Sequence, residues 1–399
     1  MDLKEESLLL HKKNHGKLEI KSKVRIANQK DLSLAYTPGV AYACKEIEKD
    51  PELAYDYTSK ANMVAVISDG SAVLGLGNIG PYGAIPVMEG KSILMKELAG
   101  VDSIPLCLAT QDVEEIIKTC KYLEPTLGAI NLEDISAPRC ITIERRLQKE
   151  MNIPVFHDDQ HGTSIIVAAV FKNVERFTKK PLKDMTLVMS GTGAAGSQIA
   201  VMLKKIGVGK IYAYDITGVI DKKKYDQYNF LIQELLDQGV YDTPEEHDGT
   251  LASIMKGANA FVGVSAPNLV TKEMVKSMAK DPIVFAMANP VPEIAYNDAV
   301  EAGAYIVGSG RSDYPNQINN VLAFPGLFKG ALAVRASEIN YEMQIAAAEA
   351  IASIIPDNEL SREYIVPGAF DPRVVEAVSK AVADTAIKTG VSKLYKNNK

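Results

Sequence analysis

Two pairs of acidic side chains each follow a short apolar run in the first half of the chain. Glu133-Asp134 closes the run 127–130, and Asp158-Asp159 comes one residue after the run 153–156. Such short runs, partly β-branched and followed abruptly by polar residues, are typical of buried strands. Carboxylates gathered at neighbouring strand ends repel one another unless a cation lies between them, and all-oxygen ligands favour Mg²⁺ or Mn²⁺. The pattern therefore favours a divalent-metal site at the carboxyl edge of a sheet.

Two other interpretations of the second pair stay open. Asp158 or Asp159 could cap a helix that starts nearby. His157 and His161 also have the spacing of the two histidines in a zinc-hydrolase H-E-x-x-H motif. That motif requires glutamate in second place and both histidines on one helical face, whereas here the second place is Asp158 and the preceding residues predict a strand. Zinc hydrolysis is therefore disfavoured.

A dinucleotide-binding fingerprint lies in the second half of the chain. The apolar run 185–190 leads directly into a glycine-rich turn, a helical pattern follows, and the run 210–215 ends in Asp215. This order of strand, turn, helix, strand and acid is the full context of the fingerprint. The glycines allow a tight turn close to the pyrophosphate, and Asp215 can accept hydrogen bonds from the ribose. The turn residues predicted to bind the cofactor are Gly191, Thr192, Gly193, Ala194, Ala195 and Gly196.

The acid at the end of the second strand predicts a preference for NAD over NADP. The 2′-phosphate of NADP would bring a second anion against Asp215, and an NADP site usually supplies a nearby arginine. Residues 216–220 carry no positive charge. The nearest basic side chains, at 222–224, could curl back toward the phosphate, so NADP stays possible.

A second glycine run, 75–80, also matches G-x-G-x-x-G. Pro81 follows it, and no acidic residue closes a strand about 20 positions later, so the run predicts a tight loop and not the main cofactor site. Lys91 precedes a helix predicted over 92–99. The helix dipole there disfavours a positive charge, which makes Lys91 a candidate general base, with a solvent-exposed lysine as the alternative.

Four further polar side chains are candidates for a small-molecule site. Tyr36 stands before a Pro38-Gly39 turn and could either project into a cleft or pack under the loop. Asn289 follows a predicted strand, at the edge where α/β proteins bind ligands. Asn319 and Asn320 lie in an amide-rich segment, where they could form a turn or bind a carboxylate substrate.

Length and composition predict an ordinary α/β globular protein. A chain of 399 residues, 47% hydrophobic and 24% charged, should form about two domains. The expected domains are an N-terminal α/β catalytic domain (1–160) and a Rossmann-type, doubly wound dinucleotide-binding domain with C-terminal helices (161–399). A net charge of −6 argues against nucleic acid as a partner. The N-terminus predicts no signal peptide or membrane span, and four cysteines without C-x-x-C spacing indicate reduced thiols in the cytoplasm.

Together these motifs resemble the malic enzyme family, in its short bacterial and archaeal form. The resemblance follows the family's order along most of the chain. The segments that carry it are Tyr36–Val40, Val73–Gly80, Pro86–Lys91, Asn131–Asp134, Phe156–Asp159, Gly191–Gly196 and Asn289-Pro290.

The resemblance implies oxidative decarboxylation of (S)-malate to pyruvate and CO₂ with reduction of NAD or NADP. It implies a Mg²⁺ or Mn²⁺ ion on Glu133, Asp134 and Asp159, with Asp158 behind them. Malate is then the small-molecule partner. The resemblance leaves two alternatives open, a malolactic-type conversion of malate to lactate and a non-catalytic dinucleotide sensor. A homodimer or higher homo-oligomer is expected.

The resemblance also implies roles for the remaining candidates. Lys91 corresponds to the base and Tyr36 to the acid, while Asn289 and either Asn319 or Asn320 contact malate. The longer eukaryotic members have an arginine before their L-G-L-G run, and it binds the substrate carboxylate. Here that position is Ala72, so the sequence leaves the partner of that carboxylate unidentified.

Overall fold

Two parallel sheets organise the protein, whose computed structural model describes residues 2–73 and 75–395. The first sheet contains β1 (Met63–Ser68), β2 (Asp102–Cys107), β3 (Ala129–Leu132) and β4 (Val155–His157). The second contains β5 (Thr186–Ser190), β6 (Lys210–Asp215), β7 (Gly218–Val219), β8 (Ala260–Gly263), β9 (Ile283–Ala286) and β10 (Ile306–Ser309). The strand orders are β2-β1-β3-β4 and β10-β9-β8-β5-β6-β7.

Helices cover both faces of the sheets. Those before and around the first sheet are α1 (Leu3–Asn14), α2 (Gln29–Ala35), α3 (Val40–Lys49), α4 (Ala54–Tyr57), α5 (Gly80–Ala99), α6 (Val113–Leu123) and α7 (Arg139–Glu150). Helix α8 (Asp158–Thr178) leads to the second sheet, around which lie α9 (Ala194–Lys205), α10 (Phe230–Asp237), α11 (Leu251–Met255), α12 (Lys272–Ser277) and α13 (Tyr296–Glu301). The C-terminal helices are α14 (Phe324–Ala333), α15 (Tyr341–Ser353) and α16 (Pro372–Thr389).

Apart from β2, β6 and β7, the strands are almost fully buried, as expected for parallel strands with both faces covered. All strand pairs are parallel except β6 with β7. In the first sheet Leu132 of β3 pairs with His157 of β4. This register places Glu133 and Asp158, the next residues along the two strands, at the same carboxyl edge. In the second sheet the order of the strands reverses at β5, because β6 lies on one side of it and β8 on the other. Doubly wound sheets bind ligands in the crevice at such a point. The predicted α/β class with a Rossmann-type second domain is confirmed.

Helix α8 joins the two sheets. It starts directly after β4, packs against α9 and α15, and is buried along most of its length. Residues 160 and 161, between which the sequence places the domain boundary, both lie inside this helix. The C-terminal helices α14 and α16 contact α5, so they also pack on the first sheet's side. One apolar core runs through both halves. Residue 1, Leu74 of the glycine run and residues 396–399 lie outside the described part of the chain.

The first glycine run differs from its sequence-based prediction. It does form a tight loop, with left-handed backbone at Gly75, Gly77 and Gly80, but α5 starts immediately at Gly80. The predicted start at 92 was wrong, because Pro81 occupies the first helical turn, where a missing N–H has no consequence. Lys91 therefore lies inside a 20-residue helix and not at its N-terminus.

The N-terminal helices lie on the surface. None of the residues in α1, α2 and α3 is buried, although several leucines and one tyrosine are among them. Within residues 2–73 and 75–395, no helix is both long and apolar enough to cross a lipid bilayer.

Close packing of α14 on α16 generates a stability prediction. A Cβ at Gly330 would lie 2.4 Å from the carbonyl oxygen of Ser379. Gly330→Ala should therefore destabilise the protein by about 1–3 kcal/mol, measured from urea unfolding, because the two helices must separate. Gly90→Ala in α5 is the matched control, since its methyl group would meet only Lys17 Nζ at 3.8 Å. Equal destabilisation by both variants would contradict this view of the helix contact.

Candidate active site between the two sheets

Three carboxylates converge at the carboxyl edge of the first sheet. One oxygen from each of Glu133, Asp134 and Asp159 lies within 4.8 Å of the others. Glu133 and Asp134 follow β3, and Asp159 belongs to the first turn of α8. The Asp134 backbone N–H donates to Asp159 Oδ2 at 2.8 Å, which joins the segment after β3 to the start of α8. The structure thus brings together the three acids that the sequence predicts as metal ligands.

Lys91 reaches this cluster from α5. Its Nζ lies 3.0 Å from Glu133 Oε1, contacts Asp158 Oδ2 and sits 4.4 Å above the centre of the Phe324 ring. Burial alone would lower the pKa of Lys91, but Asp158 and Glu133 outweigh it and raise that pKa above its usual value. The predicted effect of the helix dipole was therefore wrong, because Lys91 lies inside a helix among carboxylates.

The site carries excess negative charge. Four carboxylates gather around this site, of which Glu133, Asp134 and Asp158 are buried while Asp159 is partly exposed. Burial raises the pKa of Glu133 well above its usual value, and Asp159 and Asp158 raise it further, against the opposing effect of Lys91. Asp158 Oδ1 is buried without a hydrogen-bond partner. A hard divalent cation fits this donor set, because it would neutralise the excess charge through oxygen ligands.

The histidines between the acids do not form a zinc site. His157 lies in β4 and His161 in α8, so they do not share a helical face. His161 Nε2 pairs with Glu144 Oε2 at 3.0 Å, and neither histidine belongs to the carboxylate group. Burial lowers the pKa of His157. The disfavoured H-E-x-x-H interpretation has no support in this geometry.

The two asparagines of the amide-rich segment have different partners. Asn320 Nδ2 donates to Asp158 Oδ2 at 2.6 Å, so this side chain joins the lysine–carboxylate group. Asn319 Oδ1 accepts the backbone N–H of Val321 and caps a short 3₁₀ helix. Asn289 is exposed at the end of β9, and the ring of the following proline lies 3.4 Å from where a Cβ of Gly75 would be. The loop that carries Asn289 therefore closes against the first half of the molecule.

The predicted cofactor turn lies at the carboxyl end of β5. A Cβ at Gly196 would lie 1.9 Å from the carbonyl oxygen of Gly191, so the turn admits only glycine there. A Cβ at Gly193 would meet nothing within 4 Å, which leaves the start of α9 open to a phosphate. Asp215 ends β6, and its Oδ2 accepts the Thr192 hydroxyl at 2.7 Å. The predicted turn and the predicted acid are thus in direct contact.

Comparison with known proteins identifies the family of the chain. The family described as malic enzyme, N-terminal domain, matches residues 15–148, and that described as malic enzyme, NAD binding domain, matches residues 160–391. The chain belongs to the malic enzyme family. The resemblance carried by the sequence motifs is confirmed, and the second domain is a nicotinamide-dinucleotide domain of that family.

Individual relatives match over nearly the whole chain. A bifunctional malic/malolactic enzyme of Bacillus subtilis is 55% identical over 99% of this chain and 95% of its own length. An NAD-dependent malic enzyme of Geobacillus stearothermophilus is 51% identical over 95% of this chain and 78% of its own length. The solved NAD-dependent malic enzyme of Thermotoga maritima is 47% identical, with a TM-score of 0.90 over 94% of this chain and 98% of that one. Relatives named NADP-dependent malic enzyme also match.

Tyr36, which the family resemblance implies as the acid, is not in contact with the carboxylates. It caps the C-terminal end of α2, and its side chain is mostly exposed and forms no hydrogen bond to any described residue. Its role therefore stays a prediction.

Two charged residues near the site were missed from the sequence. Arg139 at the start of α7 pairs with fully buried Asp69 at 3.0 Å. Both of its Nη atoms also donate to the protein, to one carbonyl and two serine hydroxyls. Those acceptors are Gln111 O, Ser71 Oγ and Ser136 Oγ. No local motif marks Arg139, because its partners lie on loops distant in sequence.

Glu293 is the second missed residue. It is fully buried, and it accepts the backbone N–H groups of Ser265 at 2.8 Å and Ala288 at 3.1 Å. It thereby fastens the loop of Asn289 to the end of β8. An acid placed between Pro292 and Ile294 was the available sequence signal.

Proposed function

We propose that this protein catalyses the oxidative decarboxylation of (S)-malate to pyruvate and CO₂ with reduction of a nicotinamide cofactor. The observation that carries the proposal is that residues from both halves of the chain form one site. Lys91 and the carboxylates belong to the first half, and Asn320, which follows the last strand of the second sheet, donates a hydrogen bond to Asp158. Hydride transfer needs such a substrate site beside the dinucleotide crevice.

We infer that Glu133, Asp134 and Asp159 hold Mg²⁺ or Mn²⁺. The support is their convergence within 4.8 Å and the excess negative charge around Lys91. A bound divalent ion would act as a Lewis acid that stabilises negative charge on the C2 oxygen of the substrate.

Lys91 is the proposed base for the C2 hydroxyl. Without the ion its carboxylate neighbours keep it an ammonium, because they raise its pKa. A cation shared with Glu133 would weaken that attraction and favour the neutral amine. Lys91 would then take the hydroxyl proton while hydride passes from C2 to the nicotinamide. Tyr36 is the proposed donor of the proton that C3 receives after CO₂ has left.

Asn289 and Asn320 are the proposed amide contacts of malate. The position of Asn320 beside Lys91 and Asp158 supports this choice, whereas Asn319 is engaged in capping. Asn319 therefore contributes to the geometry of the segment, and Asn320 is favoured between the two.

Oligomerisation and a cytoplasmic location are also proposed. The apolar side chains exposed along α1, α2 and α3 support a homodimer or higher homo-oligomer that covers them, which light scattering would test. All four cysteines are free, which supports a reducing compartment.

A malolactic conversion is the second candidate, because the Bacillus subtilis relative is named a bifunctional malic/malolactic enzyme. Malate supplied with NAD and Mn²⁺ separates the two. Malic activity accumulates NADH together with pyruvate and CO₂, whereas malolactic activity produces lactate without net NADH.

The metal assignment predicts the effect of Asp159→Ala. This variant should lose turnover and bind Mn²⁺ at least about 100-fold more weakly, beyond the effect typical of residues outside the ligand set. NADH binding should persist, because the ion contacts substrate and not cofactor. Mn²⁺ titration calorimetry and NADH fluorescence measure the two effects, with the exposed Asp384→Ala as control. Full activity of wild type after dialysis into excess EDTA would sink the assignment.

The two proton-transfer roles predict different defects in partial reactions. Tyr36→Phe should still reduce added oxaloacetate to malate with NADH while losing pyruvate formation from malate. Lys91→Ala should lose the redox step. Tyr42→Phe, on the same exposed N-terminal region, is the matched control for Tyr36. Equal defects of the Tyr36 and Lys91 variants in both reactions would show that the roles are misassigned.

Asp215 predicts that NAD is favoured over NADP. Its carboxylate is held by the Thr192 hydroxyl at 2.7 Å and the Thr217 N–H at 2.8 Å, so it cannot easily turn away from a 2′-phosphate. Like-charge opposition of about 1–3 kcal/mol corresponds to about 10- to 100-fold in kcat/KM. Asp215→Ser should narrow this gap, and Ile216→Arg should reverse it. Equal use of both cofactors by wild type would mean that Lys222, Lys223 or Lys224 reaches the phosphate.

A further inference from the structure

The substrate carboxylate that does not chelate the metal needs a cationic partner, and this need rests on the proposed function. Malate has two carboxylates, and a metal ion held by the three acids would bind only one of them together with the C2 hydroxyl. Ala72 stands where longer relatives carry an arginine. Lys91 is engaged by Glu133 and Asp158, while Arg139 forms an ion pair with Asp69 and donates three hydrogen bonds from its Nη atoms to the protein. Neither cation offers the free pair of N–H groups that a carboxylate binds best.

Arg311 is a third cation, and it lies at the carboxyl edge of the second sheet. It follows the carboxyl end of β10 by two residues. It helps to line a cavity of about 160 Å³ between the ends of β9 and β10. The other residues around this cavity are Pro292, Ala295, Tyr296, Ser309 and Tyr314.

The cavity adjoins the proposed substrate amide. Pro292 belongs to the loop that starts with Asn289, and the neighbour of Arg311 lies against that asparagine. The Asn289 Nδ2 atom is 3.3 Å from where a Cβ of Gly310 would be. A ligand held by Asn289 is therefore next to the backbone that carries Arg311.

The guanidinium is only partly engaged. Its Nε and Nη2 atoms donate to Asp313 at 2.8 and 2.6 Å, while Nη1 donates to no acceptor within residues 2–73 and 75–395. The side chains of Arg311 and Asp313 are 43% and 51% exposed. Exposed ion pairs contribute little to stability, so Arg311 can accept a second carboxylate without a large loss.

We propose that Arg311 binds the malate carboxylate that leaves as CO₂, and so determines specificity for a dicarboxylate. Arg311 donates hydrogen bonds and transfers no proton. When the C3–C4 bond breaks, its electron pair passes into the enolate and the bound carboxylate becomes neutral CO₂, for which the guanidinium has little affinity. The ion pair with Asp313 offsets part of the charge of Arg311, so the attraction between the guanidinium and the departing carboxylate stays weak.

The test compares malate with oxalate, a two-carbon dianion that can chelate the metal but has no second substrate carboxylate beyond the chelate. Arg311→Met should raise the KM for malate about 10- to 100-fold, as expected for loss of a charged hydrogen-bonded pair. The inhibition constant of oxalate and the dissociation constant of NADH should stay within about twofold of the wild-type values, well below the tenfold change that corresponds to 1.4 kcal/mol. Arg311→Lys should recover part of the loss, because it retains the charge but not the bidentate geometry.

Arg373→Met is the matched control. Arg373 is also an exposed arginine paired with an aspartate two residues away, at the start of α16, and it does not line this cavity. Its KM for malate should equal that of wild type. Absence of malate turnover in wild type would reject the proposed function itself. An unchanged malate KM in Arg311→Met, or an equal loss of malate and oxalate binding, would reject only the role of Arg311.

Discussion

Mutual repulsion among buried carboxylates is the constraint on which the rest of this structure depends. Glu133, Asp134 and Asp158 are withdrawn from water beside Asp159, and burying charges of one sign is costly unless they are paired. Lys91 offsets part of the charge and a divalent cation is the natural complement for the remainder. The first sheet, its register and the interior position of Lys91 in α5 all serve to hold these groups together. A site built on strand ends and helices is more rigid than one on loops, which suits metal-dependent chemistry.

Asp158 connects this charged centre to the second half of the protein. It is fully buried and binds both Lys91 and Asn320, while the helix that it starts continues as the link between the sheets. Through Asp158, the proposed metal site is directly connected to the segment of Asn320, which follows the dinucleotide-binding sheet. The loop of Asn289, fastened by Glu293, supplies the other side of the same crevice.

In the cofactor crevice, too, one side chain connects two parts of the predicted site. Thr192 belongs to the glycine-rich turn and also donates to Asp215, so the turn proposed to bind the pyrophosphate and the acid proposed to bind the ribose are positioned together. Because Thr217 holds the other oxygen of Asp215, the carboxylate is oriented before the cofactor binds. The proposed discrimination at the 2′ position would therefore depend on two threonine contacts as well as on the acid.

The sequence by itself determined the features that depend on local pattern. Apolar runs ended by acids predicted the strands and the three-carboxylate cluster, and the turn from Gly191 to Gly196 with Asp215 predicted the cofactor crevice, because each signal lies within one short segment. Only the tertiary structure decided which polar groups meet across the chain. Lys91 and Asp158 are 67 positions apart, and Asn320 and Asp158 are 162 apart. The raised pKa of Lys91, the contact of Asn320 with Asp158 and the engagement of Arg139 by Asp69 depend on such distant contacts, which no local spacing encodes.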